Sequence, residues 1–204
     1  MPTVTARRPS RAQASADKRE LILRAAITQF ARRGFFQAQV ADVAREAGVA
    51  AGTVYLYFEN KDDLLISIFE QTMRDAIDEA RRALEGVADP VERLRRLARV
   101  HLGRLGQDRD LAVVFQVELR QSTKFMERFS STLLQDYLQA IGEAIAEAQT
   151  AGLFRPEVSS SLAAKMLYGA LDEMATNWIL SRRRYRLAAQ ADEVVDLFVH
   201  GMKR

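Results

Sequence analysis

At 204 residues and 48% hydrophobic, the chain can bury a substantial core as one large or two small domains. It has no cysteine and only His101 and His200 as histidines, which excludes a disulfide framework and a thiolate centre and argues against a histidine-built metal site. No apolar run approaches the length of a membrane span and no secretory signal opens the chain, so a soluble cytoplasmic protein with no membrane partner is expected.

The formal net charge of +3 is local: residues 1–66 carry ten Lys and Arg against seven Asp and Glu, while the remaining 20 and 20 cancel. A localised basic excess is the footprint of a polyanion partner. Residues 1–14 hold Arg7, Arg8 and Arg11 among Ser, Ala, Pro and Thr, without helical period. They read as a disordered basic arm, either a solvated tail or one that tracks phosphates.

The first helix is expected over Asp17–Arg33, opened by an Asp17/Glu20 capping box and closed by Gly34, with Leu21, Ile22, Ala25, Ala26 and Phe30 as its apolar stripe. Val40, Val43, Ala44 and Ala47 then fall at i, i+3, i+4 and i+7, one face of a short helix. Gly48 stands where a left-handed residue ends a helix, and Val49 reads as a buried plug. Ala50 to Phe58 reads as the next helix. Val54 and Phe58 face inward, which leaves Thr53, Tyr55 and Tyr57 pointing elsewhere. Two short helices across a glycine turn, the second rich in hydroxyls, have the form of a helix-turn-helix, whose second helix enters a DNA major groove. Thr and Tyr hydroxyls suit phosphate oxygens, and Gly52 lets a backbone come close. Asn60 is an N-cap with Asp63 three residues on, and Lys61 in that first turn is poorly placed unless an anion binds there. A plain pair of core helices would not need the exposed Thr-x-Tyr-x-Tyr.

The rest reads as further helices. A long one runs from Lys61 to about Leu84. Asp89 caps the next, with Pro90 at its first position and Gly103 or Gly106 closing it. Others run from Asp108 to about Arg120, Thr123 to Ala151, Ser159 or Ser160 to Ser181, and Ala188 to Met202. The fold class is therefore all-α with about nine helices: an arm (1–14), a helix-turn-helix domain (15–62) and a second helical domain (63–204).

Gly34-Phe35, Asp42-Val43-Ala44, Ala47-Gly48-Val49, Gly52-Thr53-Val54-Tyr55, Tyr57-Phe58 and Asn60-Lys61 through Leu64-Leu65 resemble the DNA-binding domain of the TetR superfamily over residues 18–66. The resemblance implies a homodimeric, all-helical transcriptional regulator, usually a repressor, released from double-stranded operator DNA by a small molecule. It places Thr53, Tyr55, Tyr57 and Lys61 at backbone or base edges. Ala38, Gln39, Ala50 and Ala51 stand where the superfamily often has Thr or Ser, then Ser and Lys. Base reading then falls to Gln37, Gln39 or the Ala51 methyl. Gln37-Ala38-Gln39-Val40, Leu56, Glu118-Leu119-Arg120-Gln121-Ser122, Asp172-Glu173 with Trp178, and the Tyr185–Gly201 ending resemble the bacterial fatty-acid-degradation repressors. That branch implies a repressor of β-oxidation genes with a medium- or long-chain acyl-CoA inducer and no cofactor.

An acyl chain needs an apolar slot. Phe115, Leu119, Phe125, Phe129, Leu133 and Tyr137 form one aromatic-rich stretch, and Leu167, Leu171, Met174 and Trp178 recur along the eighth helix. Ordinary core packing explains either stripe equally well. Arg109, Arg120, Lys124 and Arg128 are candidates for the phosphates of the nucleotide tail, or else solvated surface. His101 and Asn177 read first as satisfied buried polar groups and second as ligand contacts. Leu162, Met166 and Ala170, with Val194, Val195, Phe198 and Met202, mark the last two helices as a four-helix homodimer interface, which would set two recognition helices on a palindrome. A multidrug-type repressor would hold a carboxylate in its pocket, with Glu118 the candidate. An acyl-thioester enzyme lacks a Gly-x-Ser-x-Gly elbow or a nucleophilic cysteine. A helical adaptor without DNA function is the remaining rival.

Overall fold

The computed structural model describes residues 11–121, 125–127, 132–183 and 185–204. It is all-helical as expected, and among the described residues the sole β feature is an isolated bridge between Phe154 and Lys203. Two compact units divide at Ile68 and Phe69, inside a helix rather than at the 62/63 boundary.

The first unit is built on α1 (Arg11–Arg33), α2 (Val40–Glu46), α3 (Ala51–Val54) and the start of α4 (Lys61–Leu84). α1 begins six residues before the Asp17 cap that the sequence suggests. Asp17 instead lies inside the helix and accepts from Gln13 one turn earlier. Of the expected arm, residues 1–10 lie outside the described residues and 11–14 are helical. Ile22, Ala25, Ala26 and Phe30 are buried as their period requires, joined by Leu23 and Ile27, but Leu21 is half-exposed. Gly34 and Gly48 have φ of 79° and 66°, the left-handed conformation that ends α1 and α2. Val43, Ala44, Ala47, Val54 and Phe58 seal the core, and Val49 is only half-buried. α3 proper is one turn long. Hydrogen-bonded turns from Val54 to Tyr57 and Phe58 carry the chain on to the end of the expected helix. At the start of α4, Asn60 accepts from the Asp63 amide at 2.9 Å, and the Asp63 carboxylate accepts from the Glu59 amide at 3.0 Å.

The second unit packs the remainder of α4 with α5 (Pro90–Gln107), α6 (Arg109–Val113), α7 (Thr132–Thr150), α8 (Ser160–Leu180) and α9 (Ala191–Met202). Asp89, Asp108 and Ser159 cap α5, α6 and α8 through their side chains. α6 widens into a π-turn over Val114–Glu118 and then tightens into a 3₁₀ turn over Leu119–Gln121. A short 3₁₀ turn, Leu187–Gln190, leads into α9, which therefore starts later than Ala188. α5 lies at the centre, burying Leu94, Leu97, Ala98 and Leu102. A bidentate Arg99–Asp192 pair and an Arg95–Asp196 pair tie it to α9.

α5 does not stop at Gly103 or Gly106; it runs through both to Gln107. A Cβ on Gly106 would lie 3.0 Å from the Leu187 Cβ, so this glycine admits the chain that enters α9, whereas a Cβ on Gly103 meets nothing within 4 Å. Gly103→Ala should accordingly raise stability by about 0.5–1 kcal/mol, the gain of removing a mid-helix glycine. Gly106→Val should lower it by about 1–3 kcal/mol through overpacking. Thermal unfolding of both variants without ligand checks the pair, and equal shifts would contradict the distinction between the two glycines.

Candidate functional site

The exposed side of the first unit carries the predicted DNA-reading residues. Gln37, Gln39, Ala51, Gly52 and Tyr55 are exposed, and Thr53 and Tyr57 are half-buried. Gln39 occupies the N-cap position of α2 without making a side-chain cap, so its amide is not spent on the helix end. A Cβ on Gly52 would meet nothing within 4 Å, so no internal packing demands glycine there. Ser15 Oγ lies 3.4 Å from Tyr57 Oη, placing a second hydroxyl beside the tyrosine.

Lys61 is different from the expectation of a phosphate ligand. Its ammonium donates to the carbonyls of Phe35, Phe36 and Ala38 at 2.8, 3.1 and 3.1 Å, and sits 4.6 Å from the centre of the Phe35 ring. Three donors for three carbonyls leave it no hydrogen for a nucleic acid. The anionic partner that a cation at a helix start requires is a cluster of backbone dipoles following α1.

In the second unit, α4, α5, α6, α7 and α8 surround an apolar cavity of about 50 Å³, with His101, Phe115 and Tyr137 of the predicted ligand set in its wall. Met73 and Ala76 of α4 supply part of the apolar lining. Gln116, Tyr168 and Asp172 add a polar side that sequence reasoning missed. The signal was present: Gln116 interrupts the apolar run from Leu111 to Val117, and Asp172 follows directly on Leu171 in α8. Gln116 Nε2 donates to Asp172 Oδ1 at 2.8 Å, the Arg120 guanidinium donates to Asp172 Oδ2, and Thr176 Oγ1 donates to Gln116 Oε1 at 3.1 Å. Across the cavity the rings of His101, Tyr137 and Tyr168 meet at 5.7–6.3 Å. Burial pushes both tyrosine hydroxyls well above the usual phenol range.

His101 is half-buried, with Nδ1 at 3.3 Å from Tyr137 Oη and Nε2 buried without a partner among the described residues. Desolvation lowers its pKa to about 4, outweighing the attraction of the Asp172 carboxylate. The expected satisfied buried histidine is thus satisfied on one nitrogen only.

The other ligand candidates divide. Leu119, Phe125, Leu167, Leu171 and Trp178 are buried core residues outside this cavity wall, and Leu133 and Met174 are half-buried. Arg120 neutralises Asp172 instead of standing free. Arg109 caps the end of α8 by donating to the Trp178 and Ile179 carbonyls, stacked 5.2 Å from the Trp178 ring. Asn177 is exposed, not buried, and donates to Glu173 on its own helix. Lys124, Arg128 and Phe129 lie outside the described residues. Glu118, the carboxylate expected in a drug-binding pocket, is buried beside Gln121 and is not in the wall; the wall's carboxylate is Asp172. Arg109, Trp178, Ser181, Arg182, Arg183 and Tyr185 border an open groove of about 520 Å³ at the end of α8.

On α8, Leu162 and Met166 are more than half exposed, as is Leu197 on α9. The α9 stripe suggested for a dimer packs largely inside its own chain: Val195 and Met202 are buried, and Phe198 meets Phe154 edge-on at 6.4 Å.

Lys61→Met should lower stability by about 2 kcal/mol, because three carbonyls lose a charged donor. Thr53→Ala should leave the unfolding midpoint within a degree or two of wild type. Urea or thermal unfolding separates the roles, and an unchanged Lys61→Met midpoint would return Lys61 to the DNA face. For His101, the folded protein holds the neutral ring while the unfolded chain takes a proton near pH 6.5, so its contribution to stability is lost as pH falls from 6.5 to about 4. His101→Leu should lose less stability than wild type over that window in pH-dependent unfolding.

Residues 22–68 match the family described as bacterial regulatory proteins, tetR family, and residues 69–201 match the YsiA-like protein C-terminal region. The fatty acid metabolism regulator protein of Bacillus subtilis (strain 168) is 35% identical over 181 residues, 89% of this chain and 93% of the relative. The solved fatty acid degradation regulator FadR of Bacillus halodurans is similar at 38% identity and TM-score 0.86, covering 92% of this chain and 97% of that one. FadR of Bacillus subtilis, solved in complex with stearoyl-CoA, is similar at 34% identity and TM-score 0.84, covering 90% and 98%. This chain belongs to the TetR family of bacterial regulatory proteins, which act by binding DNA and not by catalysis.

Proposed function

We propose that this chain is a repressor of fatty-acid degradation genes that binds a palindromic operator as a dimer in the cytoplasm and is released by a medium- or long-chain acyl-CoA. The observation that carries the reading is full-length similarity to a fatty acid metabolism regulator and to a FadR structure holding stearoyl-CoA. The cavity chemistry supports it. Its lining is mostly apolar, with Phe115 and Met73 for a hydrocarbon and a polar wall for the head of the chain. Asp172 is paired with Arg120, so it offers no free charge to a cationic drug, which weakens the multidrug alternative. The groove beside Arg182 and Arg183 offers guanidinium groups to the phosphates of a coenzyme tail.

The cavity of about 50 Å³ is far below the roughly 300 Å³ of a small ligand site. A long acyl chain therefore fits only if the wall opens. Thr72, Met73 and Ala76 in that wall belong to α4, the helix whose first residue is Lys61. Opening the wall displaces α4, and the displacement alters how the two recognition helices of a dimer are spaced. The ligand drives this to the extent that it binds the displaced state better. The exposed Leu162 and Met166 on α8 and Leu197 on α9 supply the apolar dimer face.

The double variant Thr53→Ala, Tyr57→Ala should bind operator DNA at least tenfold more weakly at unchanged stability, measured by fluorescence anisotropy at fixed salt. Titrating palmitoyl-CoA into the wild-type protein–operator complex should release the DNA. Undiminished operator affinity at saturating palmitoyl-CoA would overturn the effector assignment while leaving DNA binding intact.

A further inference from the structure

Tyr137 belongs to two walls at once. It lines the cavity of about 50 Å³, and it also lines an open groove of about 550 Å³ between α4, α5 and α7. The two spaces lie end to end on the same helices. On α4, Met73 and Ala76 line the cavity, while Ile77, Ala80 and Leu84 line the groove. These positions fall at i, i+3, i+4, i+7 and i+11, one continuous apolar stripe. On α5, Val100, His101 and Leu105 line the cavity, and Arg93, about two turns before Val100, lines the groove. The Tyr137 side chain crosses from α7 to α5 between them. Its hydroxyl donates to the Leu97 carbonyl at 3.4 Å and lies 3.3 Å from His101 Nδ1. Leu97 stands four residues from both Arg93 and His101, so the hydroxyl meets α5 where cavity gives way to groove.

Charge tells which end of an acyl-CoA the groove suits. Among its described lining residues, Glu85, Asp136 and Glu143 outnumber Arg81 and Arg93, and those two arginines are paired with Asp78 and Glu147. Such a rim repels phosphates and tolerates the uncharged end of a chain. The basic groove of Arg182 and Arg183 includes Arg109, two residues past the opposite end of α5. Along α5 the order is therefore acidic groove, cavity, basic groove.

We infer that Tyr137 sets the acyl chain length: it closes the cavity against the α4–α5–α7 groove, and a chain that outgrows the cavity displaces its ring and lays its methyl end along Ile77, Ala80 and Leu84. This rests on the acyl-CoA reading above and adds where a long chain ends and which side chain it must move. Moving the ring breaks its hydrogen bond to the Leu97 carbonyl and uncovers buried aromatic surface, so short chains leave it in place. A longer chain offsets that cost by burying further methylenes in the groove.

The test compares dodecanoyl-CoA with eicosanoyl-CoA by calorimetric titration of the full-length protein. In Tyr137→Ala, which joins cavity to groove, the affinity for the longer chain relative to the shorter should rise at least about tenfold over wild type, the gain from burying about two further methylenes. Tyr137→Phe keeps the ring but loses its hydrogen bond, and the ratio should rise by a smaller factor. Ala140→Trp fills the groove from α7 and leaves Tyr137 in place. It should weaken eicosanoyl-CoA about tenfold and leave dodecanoyl-CoA within about twofold of wild type, which carries the test if Tyr137→Ala folds poorly. An unchanged ratio in Tyr137→Ala, or an Ala140→Trp variant that weakens both ligands equally or neither, would overturn the inference while the acyl-CoA reading stands. If wild type binds neither ligand, the acyl-CoA reading falls and this inference with it.

Discussion

The ligand-binding unit depends on one buried carboxylate. Asp172 is 9% exposed, and an ion so placed is tolerated only when both its oxygens are served. Gln116 takes one and Arg120 the other, and both come from the irregular end of α6. The π-turn matters here. Along the π-turn over Val114–Glu118 the side chains of Phe115, Gln116 and Glu118 are all buried. The carboxylate thus holds α6 against α8 with a polar clasp where hydrophobic contact would have closed the gap. The cavity lies beside that clasp. A polar pair that packs less tightly than two leucines is a means of keeping a core from collapsing fully.

The small volume of the cavity bears on how a ligand could act there. A cavity already shaped for its ligand would bind tightly and change nothing, since a ligand shifts an equilibrium only by preferring one state. A cavity too small for its ligand makes binding and rearrangement the same event. With the proposed acyl-CoA effector, burying hydrocarbon at about 0.8 kcal/mol per methylene would supply energy for it, and a longer chain would supply more.

Local pattern made the DNA-binding unit legible. The stripe Val43, Ala44, Ala47, the left-handed Gly34 and Gly48, the inward pair Val54 and Phe58, and the Asn60 cap all follow from rules spanning a few residues, and the structure has each of them. The ligand site was legible only in part, because its chemistry is made of distant pairs. Gln116 meets Asp172 across 56 residues and Arg109 reaches the end of α8 across 70. Periodicity identifies Leu167 and Leu171 as buried but cannot say whether a cavity or another side chain lies in front of them. Gly106 shows the same limit: it makes room for Leu187, a neighbour far along the chain, and in the sequence alone it has the look of a helix stop.

The cations depart furthest from what their sequence positions suggest. Lys61, Arg109 and Arg120 each look available for phosphate, and each is consumed internally: by three carbonyls after α1, by the last carbonyls of α8, and by Asp172. In all three the partner is a backbone dipole or a carboxylate that needs a fixed positive charge to be buried at all. Thr53, Tyr55 and Tyr57 hydroxyls can satisfy phosphate oxygens without a long-range field, so they position a duplex only where the surfaces already fit. The charges of Lys61, Arg109 and Arg120 thus hold the scaffold rather than standing free on its surface.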